Sequence, residues 1–282
     1  MIGLATCRDL PELTGGEQLH FQELSKRTEC SIVVWNDPQE SWRKCSQIIV
    51  RCTWDYSSNV LEFLKWIDRV EAAGIRLHNP PNILRWNSDK LYLRDLVARG
   101  VLIPETVWIP RGKLTEELLA ESVHGPSVLK PTVSAGAYDT HRVSPENVGN
   151  VFELLREVNL HKGLMLQPFI EEVVSPGEYS LMYFANEYSH AVLKTPRPGD
   201  FRVQPRYGGE QVTATVAPEI VTQARGVLEK IPFAEKPLYA RVDGVIREGQ
   251  FVLMELELIE PYLFLEFGDG ADSALAKLVY PS

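Results

Sequence analysis

Short apolar runs alternating with segments of helical spacing set the expected architecture of this chain. Over residues 1–86, β-like runs at 3–7, 31–35, 47–52 and 75–79 are interleaved with helical patterns at 16–26 and 61–73. In the second of these helices Leu61, Phe63, Leu64, Ile67 and Val70 follow helical spacing. Strand and helix in alternation predict an open, largely parallel α/β sheet, which meets ligands at its strand carboxyl ends. Arg51, Trp54, Asp55 and Tyr56 fall at such an end.

The pattern changes after Asn79-Pro80-Pro81-Asn82, a break rich in turn formers. A helix is expected over 88–99. An α+β block follows to residue 168, with strands at 106–109 and 127–131, helices near 116–121 and 146–158, and an exit strand at 164–169. The last block is mostly antiparallel. It has strands at 178–185 and 189–194, a hairpin of 238–246 and 251–259 closed by Arg247-Glu248-Gly249-Gln250, and helices at 218–230 and 273–279. The chain therefore reads as three units, 1–86, 87–168 and 169–282, an α/β domain followed by two α+β subdomains.

With 282 residues, 44% of them hydrophobic, the chain can bury cores of this number and size. Its net charge of -9 and the lack of a basic stripe exclude a nucleic-acid backbone as the main partner. No run approaches the roughly 18 apolar residues of a membrane span. The first residues lack the charged and apolar regions of a signal peptide. A cytoplasmic protein without a membrane partner is expected. Cys7, Cys30, Cys45 and Cys52 have no C-x-x-C spacing and read as buried free thiols rather than a zinc site.

Carboxylates interrupt the apolar hairpin. Strict alternation places Leu253, Glu255, Glu257 and Ile259 on one face, with Asp243 available from the partner strand. Acids between apolar residues are either a solvated sheet face or a cluster held by a cation, and hard oxygen donors suit Mg2+. The second reading expects all three acids to converge on one point. Upstream, Lys130 ends a strand before Ser134, Ala135, Gly136 and Ala137. Backbone N–H groups of such a loop can close over phosphate oxygens; the alternative is a surface turn with a solvated lysine. Gln167 begins an extended stretch whose backbone can meet an adenine edge, and Glu178 can accept from a ribose hydroxyl. Neither G-x-x-x-x-G-K-[ST] nor G-x-G-x-x-G occurs.

Lysine, small-residue loop, hinge, ribose acid, basic segment and paired acids follow in an order that resembles the ATP-grasp superfamily, from Asn87 to Pro261. The resemblance implies the ATP-grasp fold, in which two α+β subdomains clamp ATP with one or two Mg2+ ions, or Mn2+. It implies that Lys90 and Lys130 bind phosphate and that Ser134, Ala135 and Gly136 form the phosphate loop. Gln167, Phe169 and Ile170 would form the adenine hinge, and Glu178 the ribose ligand. Asp243, Glu255 and Glu257 would be the metal ligands; the third is often Asn in the family, so Glu257 adds a negative charge.

The stretch from His190 to Gly209 is similar to the lid of glutathione synthetases and ribosomal-protein-modifying glutamate ligases. That likeness implies Lys194 and Arg202 facing the transferred phosphate or activated carboxylate, with Arg241 nearby. Arg51-Cys52-Thr53-Trp54-Asp55-Tyr56, Arg85-Trp86-Asn87-Ser88-Asp89-Lys90 and Gly199-Asp200-Phe201-Arg202-Val203-Gln204 resemble the D-cycloserine synthetase type, which closes an amino-acid derivative onto its own carboxyl. The implied activity is an ADP-forming carboxylate–amine ligase of secondary metabolism. It would be a homodimer that uses ATP, Mg2+ and an amino-acid-like small molecule. Arg51, Trp54, Asp55, Tyr56 and Arg206 would hold that substrate, unless the aromatics pack in a core with Arg51 paired to Asp55. The same clamp could serve a phosphotransferase or a non-catalytic nucleotide-binding module.

Overall fold

Strands buried on both faces need apolar side chains at nearly every position. β1 (Ile2–Thr6) is buried throughout, and all of β3 (Gln47–Cys52) except its first residue is buried, in the computed structural model, which describes residues 1–281. With β2 (Cys30–Val34) and β4 (Arg76–His78) they form a parallel sheet in the order β2-β1-β3-β4. Two helices, α1 (Gly15–Ser25) and α2 (Val60–Ala72), lie between its strands in sequence. α2 buries Phe63, Trp66, Ile67 and Val70. The Phe63 ring stands 5.4 Å from both Trp35 and Trp66. The N-terminal sheet is the expected parallel α/β sheet.

The helix expected over 88–99 is confined to α4 (Tyr92–Ala98); a further short helix, α3 (Pro81–Asn87), precedes it, with Lys90 in the junction. There the Lys90 N–H donates to the Thr132 carbonyl (2.8 Å), which holds the lysine against the next sheet. That sheet consists of β5 (Val107–Ile109), β6 (Ser127–Pro131), β7 (His141–Val143) and β8 (Leu164–Pro168). Every pairing is antiparallel, in the order β5-β8-β6-β7. α5 (Glu116–Ser122) and α6 (Val148–Asn159) pack on it through Leu119, Val151 and Leu155. β7 is too short to show a period of two, and sequence patterning passes over it.

The third sheet holds β9 (Glu178–Phe184), β10 (Glu187–Thr195), β11 (Glu210–Thr213), β12 (Tyr239–Arg247) and β13 (Gln250–Glu257), antiparallel in the order β11-β10-β9-β12-β13. One face, with Leu181, Tyr183, Val242 and Leu256, packs under α7 (Pro218–Glu229). Ile83, Tyr92 and Leu96 from α3 and α4 join the same core. The opposite face is divided along its length. Met182, Phe184, Val192 and Tyr239 pack against the N-terminal sheet and α8 (Ala271–Val279), while Glu178, Lys194, Asp243 and Glu255 face a cavity. Ser282, the end of the third expected unit, lies outside the described residues. No described helix is long and apolar enough to cross a membrane.

The β12–β13 hairpin closes through Glu248 (φ 52°) and Gly249 (φ 76°), two left-handed residues whose twist matches that of paired strands. Its register then slips, with Asp243 opposite Glu255 but Gly244 opposite Leu253, so that Met254 is an extra residue. A Cβ at Gly244 would stand 2.6 Å from the Val252 carbonyl, and only glycine admits this approach. The bulge corrects the alternation reading: Leu253 joins the α7-side core, and Met254 turns to the cavity beside Glu255.

Beyond β13 the chain leaves the sheet, and side chains from several elements satisfy its carbonyls one by one. Asn79 Nδ2 donates to Leu258 O (2.7 Å), Tyr239 Oη to Ile259 O (3.0 Å), Trp54 Nε1 to Glu260 O (3.2 Å) and Arg51 Nη2 to Pro261 O (2.7 Å). Arg51 is fully buried and bonded in two places to Glu17, through Nε to Oε2 (2.7 Å) and Nη2 to Oε1 (2.6 Å). Asp55 accepts instead from Trp35 Nε1 (2.7 Å) and Asn36 Nδ2 (3.3 Å). Two expectations are thereby corrected. Arg51 and Asp55 anchor the N-terminal domain rather than a substrate, and they do not pair with each other. We expect Arg51→Met to strand the Glu17 carboxylate and cost about 3–5 kcal/mol in urea unfolding, with Glu17→Met on top recovering part of it. An Arg51→Met protein as stable as the wild type would contradict the anchoring.

Candidate active site

A cavity of about 660 Å3 lies between the second and third sheets, within the roughly 300–1,000 Å3 of small-ligand clefts. One end is apolar, walled by Val128, Ile170, Val173, Val203 and Met254, with Phe169 and Phe201 edge to face at 6.0 Å. The Gln167 side chain is fixed there by donation to Thr106 Oγ1 (3.0 Å). In the hinge the Phe169 N–H is taken by Pro126 O (2.9 Å) and the Ile170 carbonyl by the Val173 N–H (3.1 Å). The Ile170 N–H has no partner among the described residues and could meet a base edge.

The middle of the cavity is basic. Lys90 Nζ donates to Ser134 O (2.8 Å) and pairs with Glu255 Oε1 (2.9 Å), so it ties the small-residue loop to the acidic strand. Lys130 projects from β6 with no ion-pair partner among the described residues, and burial lowers its pKa. In the loop, Gly136 (φ 56°) and Ala137 (φ 58°) are both left-handed, which explains why side chains there are tiny. Arg206, expected at the substrate, lines the cavity, and its Nη2 donates to Gly136 O, which clasps the 205–207 turn onto the loop. Arg202 Nη2 pairs with Asp200 Oδ2 (2.8 Å) and its guanidinium carbon lies 3.7 Å from the Tyr207 ring centroid.

Strand register places the charged residues of the third sheet on one face, at three successive rungs. Lys194 lies opposite Glu178, Asp243 lies between Ser180 and Glu255, and Arg241 lies opposite Glu257. Lys194 Nζ meets Glu178 Oε1 (2.5 Å) and Asp243 Oδ2 (3.2 Å). Arg241 Nη2 meets Asp243 Oδ2 (2.9 Å) and Glu257 Oε1. Burial pushes the Asp243 pKa up, but Arg241, Lys194 and the Ser180 hydroxyl outweigh it and hold the group at about 2. Burial likewise acts on Glu255, and Lys90 with Lys130 bring it down. Glu257 is pushed up to about 8 by burial, which Arg241 does not offset against the neighbouring acids Glu255 and Asp243.

The three acids do not converge as expected. Asp243 is engaged by two cations and a hydroxyl, and the described residues hold no group of three acids, imidazoles or thiolates arranged about one point. The donor chemistry still suits Mg2+, which takes one or two carboxylates and completes its shell with water and phosphate oxygens. Glu255 and Glu257 line the same cavity and fit that requirement.

Trp54, Tyr56, Glu260 and Tyr262 line the far end. Trp54 and Tyr56 therefore reach the cavity, unlike Arg51 and Asp55. Sequence reasoning missed Glu260, Tyr262, Phe201 and Val203. Glu260 lies past the last strand, where no periodicity marks a face, and its place before Pro261 was the one signal at hand.

The arrangement superposes on solved structures over nearly its whole length. A crystal structure of D-cycloserine synthetase DcsG matches with a TM-score of 0.89 at 23% identity, covering 99% of this chain and 98% of that one. The D-alanine–D-alanine ligase of Bacillus anthracis, in complex with ATP, matches with a TM-score of 0.69 at 14% identity, covering 99% and 94%. The protein is an enzyme of the ATP-grasp ligase class. Residues 2–79 match the family model described as D-cycloserine synthetase DcsG, N-terminal domain. The cycloserine biosynthesis protein DcsG of Streptomyces lavendulae is 31% identical over 270 residues, 88% of each chain. The chain belongs to the D-cycloserine synthetase DcsG family.

The raised Glu257 predicts a pH dependence. Between the ordinary carboxylate range and about 8 the unfolded chain has released this proton while the folded chain keeps it, so the metal-free protein loses stability as pH rises through that window. Glu260, raised to about 7 by burial, adds to the decline, so Glu257→Gln removes part of it and leaves the Glu260 share, as measured by urea midpoints from about pH 5 to about pH 8. A decline of the same size in Glu257→Gln would assign the effect to another group.

Proposed function

We propose that the protein is an ATP- and Mg2+-dependent, ADP-forming ligase that activates the carboxylate of an amino-acid derivative and joins it to a nitrogen. One observation carries this reading. A single cavity runs from an apolar hinge, past the two lysines Lys90 and Lys130, along Lys194, Asp243 and Glu255, to Arg241 and Glu257. Its parts follow the order of a nucleotide from base to terminal phosphate. A second reactant is left the end lined by Trp54, Tyr56 and Glu260.

The chemistry follows from what a carboxylate lacks. Oxide is too poor a leaving group for an amine to displace, so a carboxylate oxygen first attacks the terminal phosphorus of ATP, giving an acyl phosphate and ADP. Lys130, without an ion-pair partner among the described residues, would meet the phosphate oxygens, and Lys194 and Arg202 the phosphoryl group in transfer. Glu255 and Glu257 would hold Mg2+, which when bound would shield phosphate charge. The nitrogen then attacks the acyl carbon and phosphate leaves. Arg241, held by Asp243 and Glu257 and donating Nη1 to Tyr262 O (3.0 Å), is the fixed cation available to the oxyanion of that step.

The Streptomyces lavendulae relative is named for cycloserine biosynthesis. Cycloserine is a ring closed between a carboxyl carbon and a nitrogen. Ring closure of an amino-acid derivative is therefore the form of ligation assigned to this chain. A phosphate-release screen of amino acids and their aminooxy derivatives, with and without added amines, tests the reading. At least one compound should stimulate ADP formation, and Glu255→Gln and Lys130→Met should each lower that rate by about a hundredfold or more. No stimulation by any compound, or full activity in Glu255→Gln, would overturn it.

A further inference from the structure

Glu260 is the one acid of the cavity without a salt bridge among the described residues; Arg241 and Lys90 act on it only from beyond contact distance. The others each have one: Glu178 meets Lys194 (2.5 Å), Asp243 meets Arg241 (2.9 Å), Glu255 meets Lys90 (2.9 Å), and Glu257 meets Arg241. The Glu260 residue is 8% exposed and lines the cavity, yet its carboxylate makes no hydrogen bond or ion pair to a described side chain. Its position is rigidly set. Trp54 Nε1 holds its own carbonyl (3.2 Å), Tyr239 Oη the carbonyl before it (3.0 Å) and Arg51 Nη2 the one after (2.7 Å). Its own backbone N–H and the distant Arg241 and Lys90 do not offset the cost of burying this carboxyl, so the complement is to be sought in what enters the cavity.

The neighbouring surface names the kind of complement. Trp54 and Tyr262, edge to face at 6.4 Å, form an aromatic wall at this end of the cavity. Aromatic faces beside an acid favour an organic cation. A metal would need further oxygen donors, and no group of three acids surrounds the position among the described residues. We propose that Glu260, backed by Trp54, is the subsite for a protonated amino group carried by the amino-acid substrate, and so selects amino acids over acids without that group. The proposal rests on the reading of the cavity as a carboxylate–nitrogen ligase site.

The test uses the full-length chain with Mg2+ and a non-hydrolysable ATP analogue, titrated calorimetrically with two probes. They are 2-amino-3-(aminooxy)propanoate, as each enantiomer, and 3-(aminooxy)propanoate, which differs only in lacking the 2-amino group. The wild type should bind one enantiomer of the amino compound at least about tenfold more tightly than the analogue. Glu260→Gln should abolish that preference while leaving the analogue's affinity within about twofold, and Glu260→Asp should keep part of it. Equal affinity of the wild type for both probes, including no binding of either, overturns the proposal. So does an equal loss for both probes in Glu260→Gln, which would mark a structural role. ADP formation with the amino compound tests the ligase reading separately, so the two can fail independently.

Discussion

The structure depends on how the backbone is satisfied after the last strand. From Leu258 to Phe264 the chain passes between three cores with no strand beside it, and buried carbonyls without donors would each cost about 1–3 kcal/mol. Every donor named for this stretch is a side chain: Asn79, Tyr239, Trp54, Arg51 and Arg241 in turn, with His190 Nε2 2.9 Å from Phe264 O. Three of them come from the N-terminal domain. The acids of β13 and Glu260 are thus positioned by residues far away in the chain, and a change in the N-terminal sheet reaches the cavity through these bonds. The outer edge of β13 is treated in the same way, with Asn87 bonded to both Leu256 O and Leu258 N (2.8 Å each). That edge is closed to further pairing.

The second constraint is the divided face of the third sheet. Its strands place Met182, Phe184 and Tyr239 against the N-terminal core and, further along the same rows, Lys194, Asp243 and Glu255 toward the cavity. Apolar burial holds the sheet in place, and the polar half is then held in low dielectric, where charges act strongly on one another. Lys194 and Arg241 both contact Asp243, which is why it stays ionised, while Glu257, with one guanidinium shared between two acids, keeps its proton to about 8. The Lys90 to Glu255 pair and the Arg206 clasp on Gly136 connect these groups to the small-residue loop. Ligand phosphates entering here would meet cations already gathered and oriented.

Much of this was legible in the sequence, for physical reasons that differ by element. Parallel strands of the first domain and the long antiparallel strands announced themselves because burial imposes a strict period on them. The order of Lys130, the tiny-residue loop, Glu178 and the acidic hairpin carried the clamp. What escaped were features set by tertiary contact. The bulge at Met254 reverses a face that alternation assigns to Leu253, and the bond from the Lys90 N–H to Thr132 O holds Lys90 outside the helix expected over 88–99. Arg51 looked like a ligand because the one partner visible nearby in sequence, Asp55, left both readings open. Glu17, which neutralises it, lies 34 residues away. Glu260 escaped because it belongs to no periodic element at all.

The account's central claim is that this cavity couples ATP to a carboxylate through an acyl phosphate. Isotope transfer tests it most directly. A substrate that stimulates ADP formation is supplied with 18O in its carboxylate, and the released phosphate is analysed by mass spectrometry. The account predicts one 18O atom delivered to phosphate in each turnover, because the oxygen that attacks phosphorus is the one that leaves with it. Phosphate free of label while amide product accumulates would contradict it.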